Sequence, residues 1–469
     1  MIFDRSLSTG IVPNDWRIAH VTPIFKKGVK SDPGNYRPVS LTSIPGKILE
    51  SIIRDAIMEH LEINSLIFDT QHGFMNKKST VTNLLDFMET VTDTTDKGEA
   101  MDIIYLDFSK AFDLVPKSRL LNKLSAHGIS GSILNWIGAW LTNRKQKTVL
   151  NGKSSDWGEV LSGVPQGSVL GPLLFLIFIN DIDKAAHMIT KLAKFADDTK
   201  LGQVIRSQQD RIQLQECLNS LVEWSETWGM SFNVAKCKIM HVGTNNPKYK
   251  YHMKGQELLE VEEEKDIGVL IKSNLKPKDH CTVVAGKARG VLYQIVKNFH
   301  FRDKLTFIRL YKTFVRPHLE YAAAVWNPWQ VGDIDLLESV QKKAVGMVSG
   351  LKGKNYEEKL REIGLDSLKT RRLKIDMTET FKIVNGFAKV KYDTWFQLYR
   401  DIPNLRTTRL NQDPMNLKRS RVCNTDIRNN FFSQRVINNW NLIPANIKKS
   451  KTISSFKSQL SRYLETTNG

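Results

Sequence analysis

A chain of 469 residues is too long for one ordinary core, so two or three cooperating subdomains are expected. Its 41% hydrophobic and 25% charged fractions are those of a soluble globular protein and exclude a disordered one. Lys and Arg outnumber Asp and Glu by 68 to 49, a net charge of +19 suited to neutralising nucleic-acid phosphates, although many basic proteins merely resist aggregation.

The four cysteines, Cys217, Cys237, Cys281 and Cys423, form no Cys-x-x-Cys pair. A closed zinc site or a disulfide framework is therefore not expected, and reduced thiols in an intracellular protein fit best. The longest apolar run, Val169 to Ile179, is about half the roughly 20 residues that cross a bilayer, so it reads as a buried helix, with no membrane role. Met1 to Ser6 lacks a signal-peptide layout and looks like the inside of a longer protein.

In chain order, Ile48, Leu49, Ile52, Ile53, Ala56, Ile57 and Leu61 read as one apolar helical stripe after Pro45. A second helix is predicted to start at Ser79 or Thr80, a hydroxyl cap ahead of Leu84, Leu85, Met88 and Val91. From Asp102 to Phe108 the text is short, apolar and partly β-branched, a buried strand ending in an acid. Helical text follows from Pro116 to about Ala126 and from Ile133 to Leu141. The glycine-flanked Ser162–Gly167 precedes the apolar run. Leu192–Ala196 and Thr199–Leu201 then read as two strands around an acidic turn, Asp197-Asp198. A helix with Leu214, Leu218, Leu221, Trp224 and Trp228 stops at Gly229, and two or three strands run to about Ile271. From Lys276 to about Phe387 nearly everything is helical and basic. The final segment resists assignment. Interleaved strands and helices between helical flanks predict a mixed α/β centre.

Asp107 closing a strand and Asp197-Asp198 on a hairpin turn form an acidic set. Adjacent like charges repel unless a cation compensates them, and hard oxygen ligands suit Mg²⁺ held with substrate phosphates. A pair of such ions about 4 Å apart activates a primer 3′-hydroxyl and stabilises the leaving pyrophosphate. An Asp-Asp pair alone is more often a solvated turn.

The surroundings change that balance. Tyr105-Leu106-Asp107-Phe108-Ser109-Lys110-Ala111-Phe112-Asp113, then Gly163-Val164-Pro165-Gln166-Gly167-Ser168-Val169-Leu170-Gly171-Pro172, then Phe195-Ala196-Asp197-Asp198 closely resemble, in order, the A, B and C motifs of reverse transcriptases. The likeness is to those of non-LTR retrotransposons, the LINE-type, chicken-repeat and jockey-like group. Asn35-Tyr36-Arg37-Pro38-Val39-Ser40-Leu41 and Gln71-His72-Gly73-Phe74 resemble the family's upstream fingers motifs; Asn233-Val234-Ala235-Lys236 and Ile267-Gly268-Val269 resemble its later palm motifs.

The resemblance implies an α+β right-hand polymerase that copies element RNA into DNA from a DNA primer and deoxynucleoside triphosphates, using two Mg²⁺ ions, or Mn²⁺. It makes Asp107 and Asp197 metal ligands, Asp198 the third catalytic carboxylate, and the Phe108 carbonyl part of a metal shell. It sets Phe112 beneath the nucleotide sugar, where plain core packing is the alternative, and Gln166 against nucleotide and template in a turn whose glycines let backbone approach. Arg37 becomes a triphosphate contact, guanidinium pairing well with phosphate oxygens, and Lys236 a proton donor to pyrophosphate, where a plain surface lysine is the alternative. The family usually has a basic residue where this chain has Met75, and Lys77 and Lys78 are the substitutes at hand.

The expected division is fingers over 1–100, N-terminally truncated; palm over 101–272 with a fingers insertion near 130–160; helical thumb over 273–350; and a basic region over 351–469. The helical region after Lys276 and its basic tail, including Lys418-Arg419-Ser420-Arg421 and Lys448-Lys449-Ser450-Lys451, is expected to grip the template-primer backbone, with a solvated basic face as the alternative. Members of this group carry an apurinic-like endonuclease ahead of the polymerase; this chain is expected to lack it, along with any ribonuclease H. The setting implied is a nuclear ribonucleoprotein. Three rivals remain: an RNA-dependent RNA polymerase, which Phe112 opposes; a catalytically silent nucleic-acid-binding remnant; and a group II intron maturase.

Overall fold

The structure, a computed structural model, describes residues 2–26, 28–186, 189–403, 413–419 and 422–467. The strands that build the site are β1 (Ile18–Phe25), β2 (Tyr36–Leu41), β3 (Ala100–Leu106), β4 (Lys145–Leu150), β5 (Lys153–Ser154), β6 (Gly158–Glu159), β7 (Lys191–Phe195), β8 (Asp198–Ile205) and β9 (Lys238–Val242).

β3 organises the molecule. Side chains alternate across a strand, and both faces of this one are covered. Met101 and Ile103 enter one hydrophobic core, Ile104 and Leu106 the other. β3 pairs antiparallel with β8 on one side and β9 on the other, and β7 extends the sheet beyond β8. Asp102, fully buried on β3, is satisfied by His241 Nδ1 at 2.6 Å, Tyr251 at 2.6 Å and Asn246 at 2.7 Å, so it belongs to the scaffold.

A second sheet is assembled from two distant pieces of chain. β1 pairs antiparallel with β2 and parallel with β4, while β5 and β6 both add to β4. Residues 145–159 thus join the N-terminal strands rather than the β3 sheet.

The helix Thr80–Asp96 starts where a hydroxyl cap was expected, with Ser79 and Thr82 forming a reciprocal capping box. The apolar run forms the helix Leu170–Ile179, buried along nearly its whole length. Its first amide groups are capped from across the fold: Glu50, itself buried, accepts from Val169 N at 2.7 Å and Leu170 N at 3.3 Å. A carboxylate there complements the helix dipole. The helix Gln208–Trp228 ends at Gly229 with φ +70°.

One expected stripe splits. On the helix Ile44–Ile63 the i, i+4 row Leu49, Ile53, Ile57 and Leu61 is buried, but Ile48 and Ile52 are 51% and 53% exposed. Two adjacent apolar rows span more than one face of a helix, and only one row meets the core.

After residue 276 the described chain is mostly helical, apart from the short strand pair Gln397–Leu398 and Leu417–Lys418, and it is not separate from the sheet. The helices Lys278–Asn298, Val331–Gly346, Leu368–Val384, Phe432–Leu442 and Ile453–Thr467 share one core with Met101, Ile103 and Met240 of the palm strands. The unassigned final segment supplies two of these helices, and Phe456 stacks on Phe381 at 4.2 Å. Its basic character is partly consumed inside. Lys448 is buried, with its ammonium on Asp413 at 2.8 Å and on Asn416, so it is removed from the expected backbone-gripping run. Burying a lysine demands such partners. Arg428 pairs with Glu89, and Arg435 with Asp376. Ser420 and Arg421 of the other basic run lie outside the described residues.

Candidate active site

β7 and β8 are joined by Ala196 and Asp197 alone, since Phe195 already pairs with Asp198. A two-residue hairpin of this hand needs a positive φ, and Ala196 supplies it at +57°. That conformation costs a residue with a Cβ about 1 kcal/mol, so something must hold it. On the neighbouring strand Leu106 pairs with Thr199, and one further step in this register sets Asp107 opposite Asp198. Hairpin and strand end therefore bring all three acids to one edge of the sheet.

Asp107 is fixed by its backbone. Its carbonyl accepts from Asn233 N at 2.8 Å, while Ser109 N donates to Ser231 O at 2.8 Å. These two bonds bracket Phe108, whose own amide and carbonyl they leave unused, and whose ring stacks on Phe232 at 4.3 Å. Asp107 Oδ2 is sealed from solvent yet accepts no hydrogen bond; the nearest cation is Lys236 Nζ at 3.5 Å.

The electrostatics are those of a crowded anionic site. Asp197 is raised above the ordinary carboxylate range by burial and then by Asp107, against the pull of Arg37 and Lys26. Asp198 keeps part of its side chain in solvent, yet loss of hydration at the turn, then repulsion from Asp197, Asp266 and Asp107, pushes it up to about 6. Behind the hairpin the buried Lys200 is ion-paired with buried Asp266, and Lys238 with Glu264. Both acids lie on the short hairpin Glu263–Asp266 and Val269–Lys272, which these pairs tie to the acid-bearing sheet.

The glycine-flanked loop lies alongside. Gly163 and Gly167 have φ +86° and +110°, and a Cβ there would come within 2.7 Å of the Asp113 carbonyl and 2.5 Å of the Ser40 carbonyl respectively. Ser40 N donates to Gln166 O at 2.7 Å, and Gln166 Nε2 donates to Asp113 at 3.2 Å. Phe112 is half-buried, its ring stacked on Phe175 at 4.4 Å. Arg37, exposed on β2, faces the acids closely enough to lower Asp197.

Several contributors had no part in the sequence reading. Lys26, Lys200 and Asp266 act on the acids electrostatically, and Asp113 orients Gln166. Gln71 bonds directly to the Ala196 backbone. Asp113 and Gln71 stood in motifs that drew attention, without a role of their own. One substitute for the missing basic residue fails: Lys78 is committed to Asp69, donating to its carbonyl at 2.6 Å with the side chain 2% exposed. Lys77 is exposed.

Among the described residues no group of three or more His, Cys, Asp or Glu side chains already has the geometry of a metal cage. The donors nonetheless suit Mg²⁺, which takes one or two carboxylates and completes its shell with water and substrate oxygens. A sealed carboxylate oxygen without a hydrogen bond and two carboxyls pushed upward by burial and by neighbouring acids are what a compensating cation would relieve.

An antiparallel sheet flanked by helices, with acids at a strand end and on the facing hairpin turn, is the palm of a right-hand nucleic-acid polymerase. A family model described as reverse transcriptase (RNA-dependent DNA polymerase) matches residues 24–272, and the chain belongs to that family. Its members generally use divalent metal ions.

The chain is 28% identical over 366 residues to the RNA-directed DNA polymerase from mobile element jockey of Drosophila funebris, covering 75% of this chain. It is 25% identical over 362 residues to the probable RNA-directed DNA polymerase from transposon X-element of Drosophila melanogaster, covering 75% of this chain. It spans 39% of the length of each of these relatives. Among solved structures, apo telomerase from Candida tropicalis aligns with a TM-score of 0.43 and 11% identity, over 75% of this chain and 63% of that one. No helix among the described residues is long and apolar enough to cross a membrane.

Proposed function

We propose that this chain is the polymerase of a non-LTR retrotransposon, copying element RNA into DNA from a DNA primer and deoxynucleoside triphosphates. The observation that carries the reading is the set of acids at one sheet edge, with Asp107 Oδ2 buried and without a hydrogen bond.

Asp107 and Asp197 would hold two Mg²⁺ ions, with Asp198 as third carboxylate and the Phe108 carbonyl beside them. When bound, the metal supplies charge that lowers the pKa of the primer hydroxyl and stabilises the departing pyrophosphate. The chain's own residues do the positioning. Arg37 and Lys26 present positive charge to the triphosphate, Arg37 through a planar donor fork. Gln166, oriented by Asp113, meets the nucleotide and its template base. Phe112, backed by Phe175, forms the floor under the sugar. Lys236 rests on Asp107 at 3.5 Å and is placed to turn toward the pyrophosphate and hand it a proton. Residues 1–100 with the strands near 145–159 serve as fingers, 101–272 as palm and 273–350 as thumb. The nuclear ribonucleoprotein setting follows from the resemblance.

Primer extension on an RNA template with purified protein, Mg²⁺ and deoxynucleotides tests the reading. Asp107→Asn or Asp197→Asn should cut extension by several orders of magnitude with the fold retained, and near-normal extension by Asp197→Asn sinks it. Template binding without extension by the unmutated chain would leave the silent remnant.

A further inference from the structure

The turn that carries Asp197 is not held by its own strands alone. Residues 70–73 run beside β7: Lys194 N donates to Thr70 O at 2.8 Å, and His72 N to Lys194 O at 2.9 Å. Between these backbone bonds the Gln71 side chain, 1% exposed, reaches the turn itself. Its Oε1 accepts from Ala196 N at 3.0 Å and from Gly73 N at 2.8 Å; its Nε2 donates to Ala196 O at 3.3 Å. One amide thus satisfies both backbone groups of the residue held at φ +57°. Gly73 is pressed against the same spot, and a Cβ there would stand 2.4 Å from Ala196 N.

We propose that Gln71 is a positioning residue that sets the Ala196-Asp197 turn, and through it the place of the Asp197 and Asp198 carboxylates. The inference deepens the polymerase reading and rests on it for its catalytic consequence. Chemically the amide is suited as no other side chain is. It offers an acceptor to two N–H groups and a donor to one carbonyl, in the plane a strand partner would occupy. A Glu of the same length keeps the acceptor and turns the donor into a second oxygen facing a carbonyl. The backbone bonds of Thr70 and His72 survive either change, so the segment stays docked while the turn is released.

The test compares full-length Gln71→Ala, Gln71→Glu and Gly73→Ala with the unmutated chain. In Gln71→Ala the Ala196 amide should exchange its hydrogen at least about tenfold faster while β3 and β8 keep their protection. Displacing the acids by about 1 Å should lower kcat roughly 100-fold. KM for the nucleotide and Kd for template-primer should stay within about threefold, since Gln71 touches neither. The Mg²⁺ concentration for half-maximal rate should rise. Gln71→Glu should fall between, regaining N–H protection but not full kcat. Gly73→Ala should lower kcat with Gln71 intact.

A lower Tm with kcat unchanged would assign Gln71 a purely structural role and overturn the proposal, as would an Ala196 amide still protected in Gln71→Ala. If Gln71→Ala fails to fold, Gln71→Glu and Gly73→Ala decide. If the unmutated chain does not extend a primer, the polymerase reading fails, and the exchange measurement still decides whether Gln71 holds the turn.

Discussion

Proton and metal should compete at Asp198, and the competition can be sized from the structure. Its carboxyl is raised from 3.8 to about 6 by lost hydration and by Asp197, Asp266 and Asp107. A ligand must be deprotonated to bind a cation. One unit below a pKa of about 6 only about a tenth of the molecules carry the charge, so apparent Mg²⁺ affinity should fall about tenfold from pH 7 to pH 5. Asp197, shifted in the same direction, steepens the fall. Stability without metal runs the other way. A carboxyl whose folded pKa exceeds its unfolded value is unfavourable when ionised, so the penalty is absent below about pH 4, grows from there to about pH 6, and is complete above. The assay is Tm against Mg²⁺ concentration at pH 5, 6, 7 and 8, for the unmutated protein and Asp198→Asn. The variant should melt higher without metal at pH 8 and lose part of the pH dependence. An apparent Mg²⁺ affinity flat from pH 5 to pH 7 would refute the reasoning.

Other expectations follow from the same geometry. Lys200→Met leaves Asp266 buried without its cation and should cost about 3–5 kcal/mol in denaturant unfolding, whereas Lys200→Met with Asp266→Leu should recover most of it. Phe112→Val should raise ribonucleotide over deoxynucleotide kcat/KM on one RNA template; an unchanged ratio would reduce Phe112 to a partner of Phe175 and revive the RNA-polymerase rival. Lys287 and Lys297 are exposed on the helix Lys278–Asn298, and Lys287→Ala or Lys297→Ala should each weaken template-primer binding and lower the salt slope by roughly 1. Cutting the chain near Leu275 would not isolate that effect, because the helices beyond it cover Met101 and Ile103.

Much of this protein is legible in local text. The hydroxyl cap at Ser79, the glycine stop at Gly229 and the buried run ending at Ile179 are set by neighbours within a turn or two, so the helices fall where periodicity and caps place them. The acidic turn is legible too, because two short strands separated by two residues read as a hairpin, although holding Ala196 at positive φ takes Gln71 from outside it. What the tertiary structure alone decided is which groups meet. Gln71 and Ala196 are far apart in sequence, as are Lys200 and Asp266, and no periodicity announces that an amide will hold a turn or that an ammonium will be buried under it. The same holds for charge. Composition counts Lys78, Lys448 and Arg428 with the lysines and arginines that meet nucleic acid, but each is committed inside to Asp69, Asp413 or Glu89. Whether a charge faces solvent or a partner depends on the packing of distant elements, because burial makes an unpaired ion too costly and selects a partner from wherever the fold brings one.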